Sequence, residues 1–164
     1  MIARIVRWCG GLLVALLACA QLIRVERSNP ASDPARSIHA RTQMTPRVAE
    51  ILDRACRDCH SNTTRWPWYS HVAPASWLVT NHVNHGRRHL NFSTWDARTA
   101  HGGWKGPAEK LDQICEEVSG GAMPLASYTL IHRSARLSPY DAQVLCEWAK
   151  AESGRMRSVA AVSR

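Results

Sequence analysis

The chain has 164 residues, 45% of them hydrophobic, which is room for one domain with a modest core and excludes two substantial ones. Its formal net charge of +8 invites a nucleic-acid or membrane partner. More than half of that excess lies outside residues 41–150, and no nucleic-acid-binding motif accompanies it, so a nucleic-acid partner is not expected.

In chain order, Arg4 and Arg7 precede an apolar run from Trp8 to Ile23, interrupted only by Gln21. A basic start before an apolar stretch is an export signature. The expectation for residues 1–27 is an uncleaved transmembrane anchor. A cleaved signal and a lipoprotein are the alternatives, the second because Leu16-Leu17-Ala18-Cys19 resembles a lipobox. Asn29-Pro30 and Asp33-Pro34 break any apolar period, so residues 28–44 read as a linker.

The domain is expected over residues 45–151. Thr45-Pro46 supplies an N-cap and a proline at the first helical position, and Val48, Ile51, Leu52 and Ala55 recur at helical spacing up to Cys56. His60 to Ala73 reads as a loop, and Pro74 opens a helix through about His89. Asn91 to Gly106 is again a loop. Pro107 opens a helix with a stripe of Leu111, Ile114, Cys115 and Val118, stopped by Gly120-Gly121. Ser138-Pro139-Tyr140-Asp141 resembles a capping start for a helix carrying Ala142, Val144, Leu145, Trp148 and Ala149. The small, basic tail, residues 152–164, is expected to be disordered. No alternating strand pattern occurs, and the class is all-α with long loops. Cys115 and Cys146 sit on two apolar helix faces. Two separate buried thiols are expected, with a disulfide as the alternative.

The string Cys56-Arg57-Asp58-Cys59-His60 is the c-type haem attachment pattern. Two thiols on one helical turn reach the two vinyl groups along one porphyrin edge, and the adjacent imidazole meets the iron from the same side. A thioredoxin-like motif would sit beside a strand–helix unit, and a zinc site would need two more clustered ligands; neither is visible. For a sixth iron ligand, Met123 in Gly121-Ala122-Met123-Pro124 is the only well-placed methionine: Met1 is the start, Met44 precedes the first domain helix, and Met156 is in the tail. His82, His85 and His89 at helical spacing are the rivals, although a solvated face is the simpler reading. His71, His101 and His132 are read as surface or hydrogen-bonding residues, and His39 falls in the linker. Trp66, Trp68 and Tyr69 are expected to wall the haem or to serve its propionates, with Trp77 and Trp95 as further candidates. The carbonyl of Pro67 or of Pro74 is expected to orient His60. Arg87 and Arg88 are read as part of a solvated helix face.

Several longer strings add to this. Cys56 to Tyr69 reads CRDCHSNTTRWPWY, and it is followed by Ala73-Pro74-Ala75-Ser76-Trp77-Leu78, Leu90-Asn91-Phe92-Ser93, Met123-Pro124-Leu125 and Ala135-Arg136-Leu137-Ser138. Over about residues 20 to 150 the chain resembles the bacterial haem-binding domain family, small proteins with one C-x-x-C-H and usually an N-terminal membrane segment. The resemblance implies a cytochrome c-like helical fold around one haem c, covalent through Cys56 and Cys59 and ligated by His60. It favours an uncleaved anchor in the bacterial inner membrane with the haem domain in the periplasm. It implies no enzymatic activity. The expected role is electron transfer with an unidentified redox partner. A peroxidase-like haem enzyme accessory and a sensor or haem-handling module with a displaceable methionine are the alternatives.

Overall fold

The computed structural model describes residues 1–97 and 106–162, and every regular element among them is helical. The reading of His101 falls outside the described residues. Helix α1 (Ile2–Ala20) is the one helix among those residues long and apolar enough to cross a membrane, and none of it is buried against the rest of the chain.

The expected linker is part of the domain. Asp33 caps a short 3-10 turn, Pro34–Arg36, by accepting from the Ala35 amide at 2.9 Å, and Ser37 caps α2 (Ile38–Arg41). Ile38 is fully buried in the main core, the Arg36 carbonyl accepts from the Trp95 amide at 2.9 Å, and Arg36 pairs with Asp96. The sequence hid this because one apolar residue makes no period. Its burial depends on Trp95, almost sixty positions away.

Helix α3 (Pro46–Ala55) forms as expected. The Thr45 hydroxyl accepts from the Val48 amide at 3.3 Å, and Val48, Ile51, Leu52 and Ala55 are buried. Cys56 closes it, and one further turn, α4 (Arg57–His60), follows directly. Helix α5 (Ala75–His89) starts after Pro74 and packs on α4. Helix α6 (Pro107–Ser119) ends at Gly120, and α7 (Ala126–Ile131) is a short turn of helix.

The last helix, α8 (Pro139–Val162), overturns the expectation of a disordered tail. Glu152 and Ser153 are buried, the Glu152 carboxylate accepts from the Gln43 amide at 2.9 Å and pairs with Arg155, and Arg157 pairs with Asp112 of α6. Met156 packs against the core. Arg155 and Arg157, read as part of the basic tail, are here the partners of carboxylates, and these pairs hold the helix down beyond its apolar stretch.

Helices α6 and α8 make the most extensive pairing in the domain. Their apolar stripes bring Cys115 and Cys146 to a Cα–Cα distance of 4.5 Å, and the two form a disulfide. The expectation of separate thiols is thereby corrected: each cysteine lies at the centre of its stripe, so packing the stripes aligns them. Bridging a separation of 31 residues contributes roughly 3 kcal/mol of stability. Replacing both by Ala should lower the unfolding free energy by about that amount in urea melts, and dithiothreitol should then change the melt of the wild type only.

Asp141 organises the start of α8. Its carboxylate accepts from the Ser138 amide (3.0 Å) and hydroxyl (2.9 Å), from Arg54 (2.8 Å) and from Arg47 (2.6 Å). Burial alone would raise its pKa, but the bonds from Ser138 and Arg54 outweigh that and hold it at about 2, against an ordinary 3.8. A depressed carboxylate contributes stability above its unfolded pKa and loses it as pH falls through the folded one. Asp141→Asn should therefore cost about 1 to 2 kcal/mol at neutral pH, and its deficit should shrink between pH 4 and pH 2 in denaturant melts.

Candidate haem site

The site is built on the α3–α4 junction. The Cys56 carbonyl accepts from the Cys59 and His60 amides at 3.2 and 3.0 Å, so the motif is one wound turn. Cys56 and His60 are then four residues apart on a single helical face. Cys56 lines a cavity of about 310 Å³, Cys59 lines a neighbouring one of about 340 Å³, and His60 lines both. His85, Gly86 and Met123 are also shared between them.

Burial pushes the Cys56 thiol up to about 12 and the Cys59 thiol up to about 11. A thiol–disulfide redox motif needs the opposite, a thiolate stabilised near neutral pH. Among the described residues no group of three or more His, Cys, Asp or Glu side chains is placed to hold a metal ion, which also removes the zinc reading for that part of the chain.

His60 is oriented by a backbone carbonyl, but not a proline's. Its Nδ1 lies 3.0 Å from the Leu90 carbonyl, which can only accept, so Nδ1 carries the proton and Nε2 keeps its lone pair. Burial lowers its pKa, which favours the neutral, ligating form. Phe92, the only phenylalanine in the chain, stands 5.9 Å from the imidazole, centroid to centroid. The expectation of Pro67 or Pro74 fails because both carbonyls serve their own turns: Pro67 accepts from Ser70, and Pro74 from Trp77 and Leu78.

Met123 is presented by a turn fastened to the end of α6. Gly121 has φ +71°, in the left-handed region that favours glycine, and the Ala122 and Met123 amides donate to the Glu117 carbonyl at 3.0 and 3.1 Å. The α6 residues Gln113, Ile114, Glu117 and Val118 line the first cavity beside it. The structure thus brings Cys56, Cys59, His60 and Met123 around one pair of cavities. The donor set suits a haem: two thiols on one turn, an imidazole oriented through its Nδ1, a thioether, and largely apolar walls.

None of the aromatic residues assigned to this site lines these two cavities, but Tyr69 lines a third that shares Cys59, His82 and Tyr128 with the second. Trp66, Trp68 and Trp77 line neither cavity. Trp68 is exposed, and Trp77 donates its indole N–H to the Ile23 carbonyl at 3.0 Å, next to the end of α1. Tyr69 lines a third, smaller cavity and bonds His132 at 2.5 Å, and His132 stacks on Tyr128. Trp95 is buried in the core beneath Ile38 and Leu111 rather than at the cavities. The chain after His60 is turned away by Asp58, whose carbonyl accepts from Thr64 and whose carboxylate meets Arg65. His82, His85 and His89 are not merely a solvated face. His85 and His89 are exposed, with rings 4.4 Å apart, but rim the first cavity, and His82 lines the second. His39 pairs with Asp53 rather than sitting in a linker.

Arg87 corrects another expectation. It bonds the Ser61 carbonyl (2.8 Å), the Thr64 hydroxyl (2.9 Å), the Ser28 carbonyl (2.8 Å) and the Asn29 side chain (2.9 Å), so it clamps the segment before the domain onto the loop after His60. Sequence reasoning gave no role at the site to Gly86, Leu90, Phe92, Ile114 or Val118, all of which line the first cavity. The available signals were a glycine in mid-helix and the Leu90-Asn91-Phe92 string.

Gly86 sets how close α5 comes. A Cβ there would stand 2.6 Å from the Cys59 carbonyl oxygen, which is backbone and cannot swing aside. Gly86→Ala should lower stability by roughly 3 kcal/mol and reduce haem incorporation, read from the melting temperature and the haem-to-protein ratio. Gly154→Ala, on α8 with nothing within 4 Å, should be neutral or slightly stabilising in the same assays.

Comparison with known families agrees with this geometry. A family model described as the haem-binding domain matches residues 15–151. No curated protein and no solved structure matches the chain. The match spans most of the chain, from the last turns of α1 into the middle of α8, and the chain belongs to the haem-binding domain family.

Proposed function

We propose that this chain is a membrane-anchored monohaem c-type cytochrome that transfers electrons on the periplasmic side of the bacterial inner membrane. The observation that carries the reading is the convergence of Cys56, Cys59, His60 and Met123 on two adjoining cavities within a haem-binding domain. Cys56 and Cys59 would hold the haem by thioether bonds, and His60 Nε2 and Met123 Sδ would be its iron ligands. The bound haem supplies a one-electron ferric/ferrous couple.

The remaining groups have distinct tasks. The Leu90 carbonyl keeps the His60 proton on Nδ1. Ile114, Val118 and Phe92 exclude water from the first cavity, which with a neutral thioether ligand favours the ferrous state and a higher potential. Protonated thiols at Cys56 and Cys59 resist forming a disulfide with one another before attachment. The Cys115–Cys146 disulfide supports an oxidising compartment, where haem c attachment also takes place. Helix α1, apolar and unburied, supports the anchor.

A second reading keeps His85 as the sixth ligand, because it lines both cavities with Met123. Met123 is favoured because it arrives from the α6–α7 turn. His85 sits beside Gly86 on the helix that already packs against the attachment motif.

Expression with a haem-c maturation system should yield a c-type pyridine haemochrome that survives acid–acetone extraction. Cys56→Ser with Cys59→Ser should release the haem to the organic phase. Met123→Ala should abolish the near-infrared sulfur–iron band and lower the reduction potential. Absence of that band from the wild-type protein, or its persistence in Met123→Ala, would show that the ligand assignment is wrong.

A further inference from the structure

We infer that the face of the domain carrying Trp68, Val72 and Leu78 lies in the membrane interface, in contact with lipid headgroups and the upper acyl region. The inference rests on the reading of α1 as an uncleaved span. Helix α1 has 19 residues, about 28 Å at 1.5 Å per residue, against a hydrocarbon core of about 30 Å. Arg4 and Arg7 in its first two turns can snorkel to the far interface, so nearly the whole helix is taken up in crossing and Gln21 lies near the boundary of the bilayer.

The domain begins there without slack. The Gln21 side-chain amide donates to the Ala73 carbonyl at 3.1 Å and accepts from the Ala73 amide at 3.0 Å. Two residues on, the Ile23 carbonyl takes the Trp77 indole N–H, and Arg27 donates to the Ser70 carbonyl at 3.0 Å. Residues 70–77 are therefore held within a few residues' reach of the point where the chain leaves the bilayer. An extended chain covers about 3.4 Å per residue, so Ile23 stands no more than about 7 Å beyond Gln21.

The side chains around these contacts are those an interface selects. Trp68 is 79% exposed, Leu78 53% and Val72 45%. Leu78 and the exposed Ile131 line one small cavity together with Tyr69, whose ring meets Trp68 edge-on, so the patch is continuous. Trp and Tyr favour the headgroup level, and the exposed Arg24 on the connecting segment complements anionic lipid. In water such a patch would carry a hydrophobic cost. Beside a bilayer it is where the apolar surface is satisfied.

The test uses the full chain in its native membrane, with p-benzoylphenylalanine replacing Leu13, Trp68, Leu78 or Tyr140 one at a time. All four are exposed, and haem content reports folding. Irradiation and mass spectrometry should find lipid adducts at 13, 68 and 78 and none at 140, which starts α8. Adding Gln21→Ala should reduce the adducts at 68 and 78 several-fold and leave those at 13 unchanged. Adducts at 13 without any at 68 and 78 overturn the interfacial face while leaving the anchor in place. Absence of adducts at 13 overturns the anchor and the inference with it. Protein adducts at 68 and 78 overturn the lipid assignment in favour of a docked partner.

Discussion

Helix α5 lies against the attachment motif at a depth that no side chain would permit. With a hydrogen in place of Cβ, Gly86 meets the Cys59 carbonyl directly, and the arrangement around the motif follows from that approach. Four residues on, just past the end of α5, Leu90 is extended and its carbonyl reaches His60 Nδ1. One residue on, Arg87 is close enough to tie the Ser61 and Thr64 region to Ser28 and Asn29. One residue before, His85 is left at the rim of both cavities. The orientation of His60 thus depends on a residue that lines both cavities and lies against the backbone of the neighbouring turn.

The opposite wall is an independent construction. Helices α6 and α8 are joined by apolar stripes and a disulfide, and together with α3 they form the core in which Ile51, Leu52, Leu111 and Leu145 are fully buried. Burying such side chains contributes roughly 1.5 to 3 kcal/mol each. That rigidity matters at the end of α6, where the Gly120–Gly121 turn hangs Met123 over the cavities. A soft thioether on a loose loop would sample many positions. Fastened to the Glu117 carbonyl on a cross-linked helix, it stays within the site.

Between His60 and α5, Trp68 and Trp77 lie away from the two cavities, and Trp77 reaches the end of α1. Indole and phenol side chains combine an apolar body with a polar tip, which suits a haem wall and a membrane interface equally well. Composition therefore could not separate the two uses. The direction of the chain after Asp58 does, by carrying Trp68 and Trp77 towards the end of α1.

Much of the fold was legible because local signals carry it: Thr45-Pro46 and Ser138-Asp141 as helix starts, Gly120-Gly121 as a stop, and the stripes of α3 and α6 as buried faces. The ordered segment before Thr45 and the ordered end of α8 were hidden, because Ile38 and Glu152 are held by partners more than fifty residues distant. The order of residues by itself determined the motif, since Cys56, Cys59 and His60 fall within five consecutive positions. Only the tertiary structure decided what each partner does. Which carbonyl orients His60, whether Cys115 meets Cys146, and which aromatics face the cavities are all contacts across long stretches of chain. Such contacts are set by how helices pack, and packing depth depends on side-chain volume at the crossing rather than on local pattern.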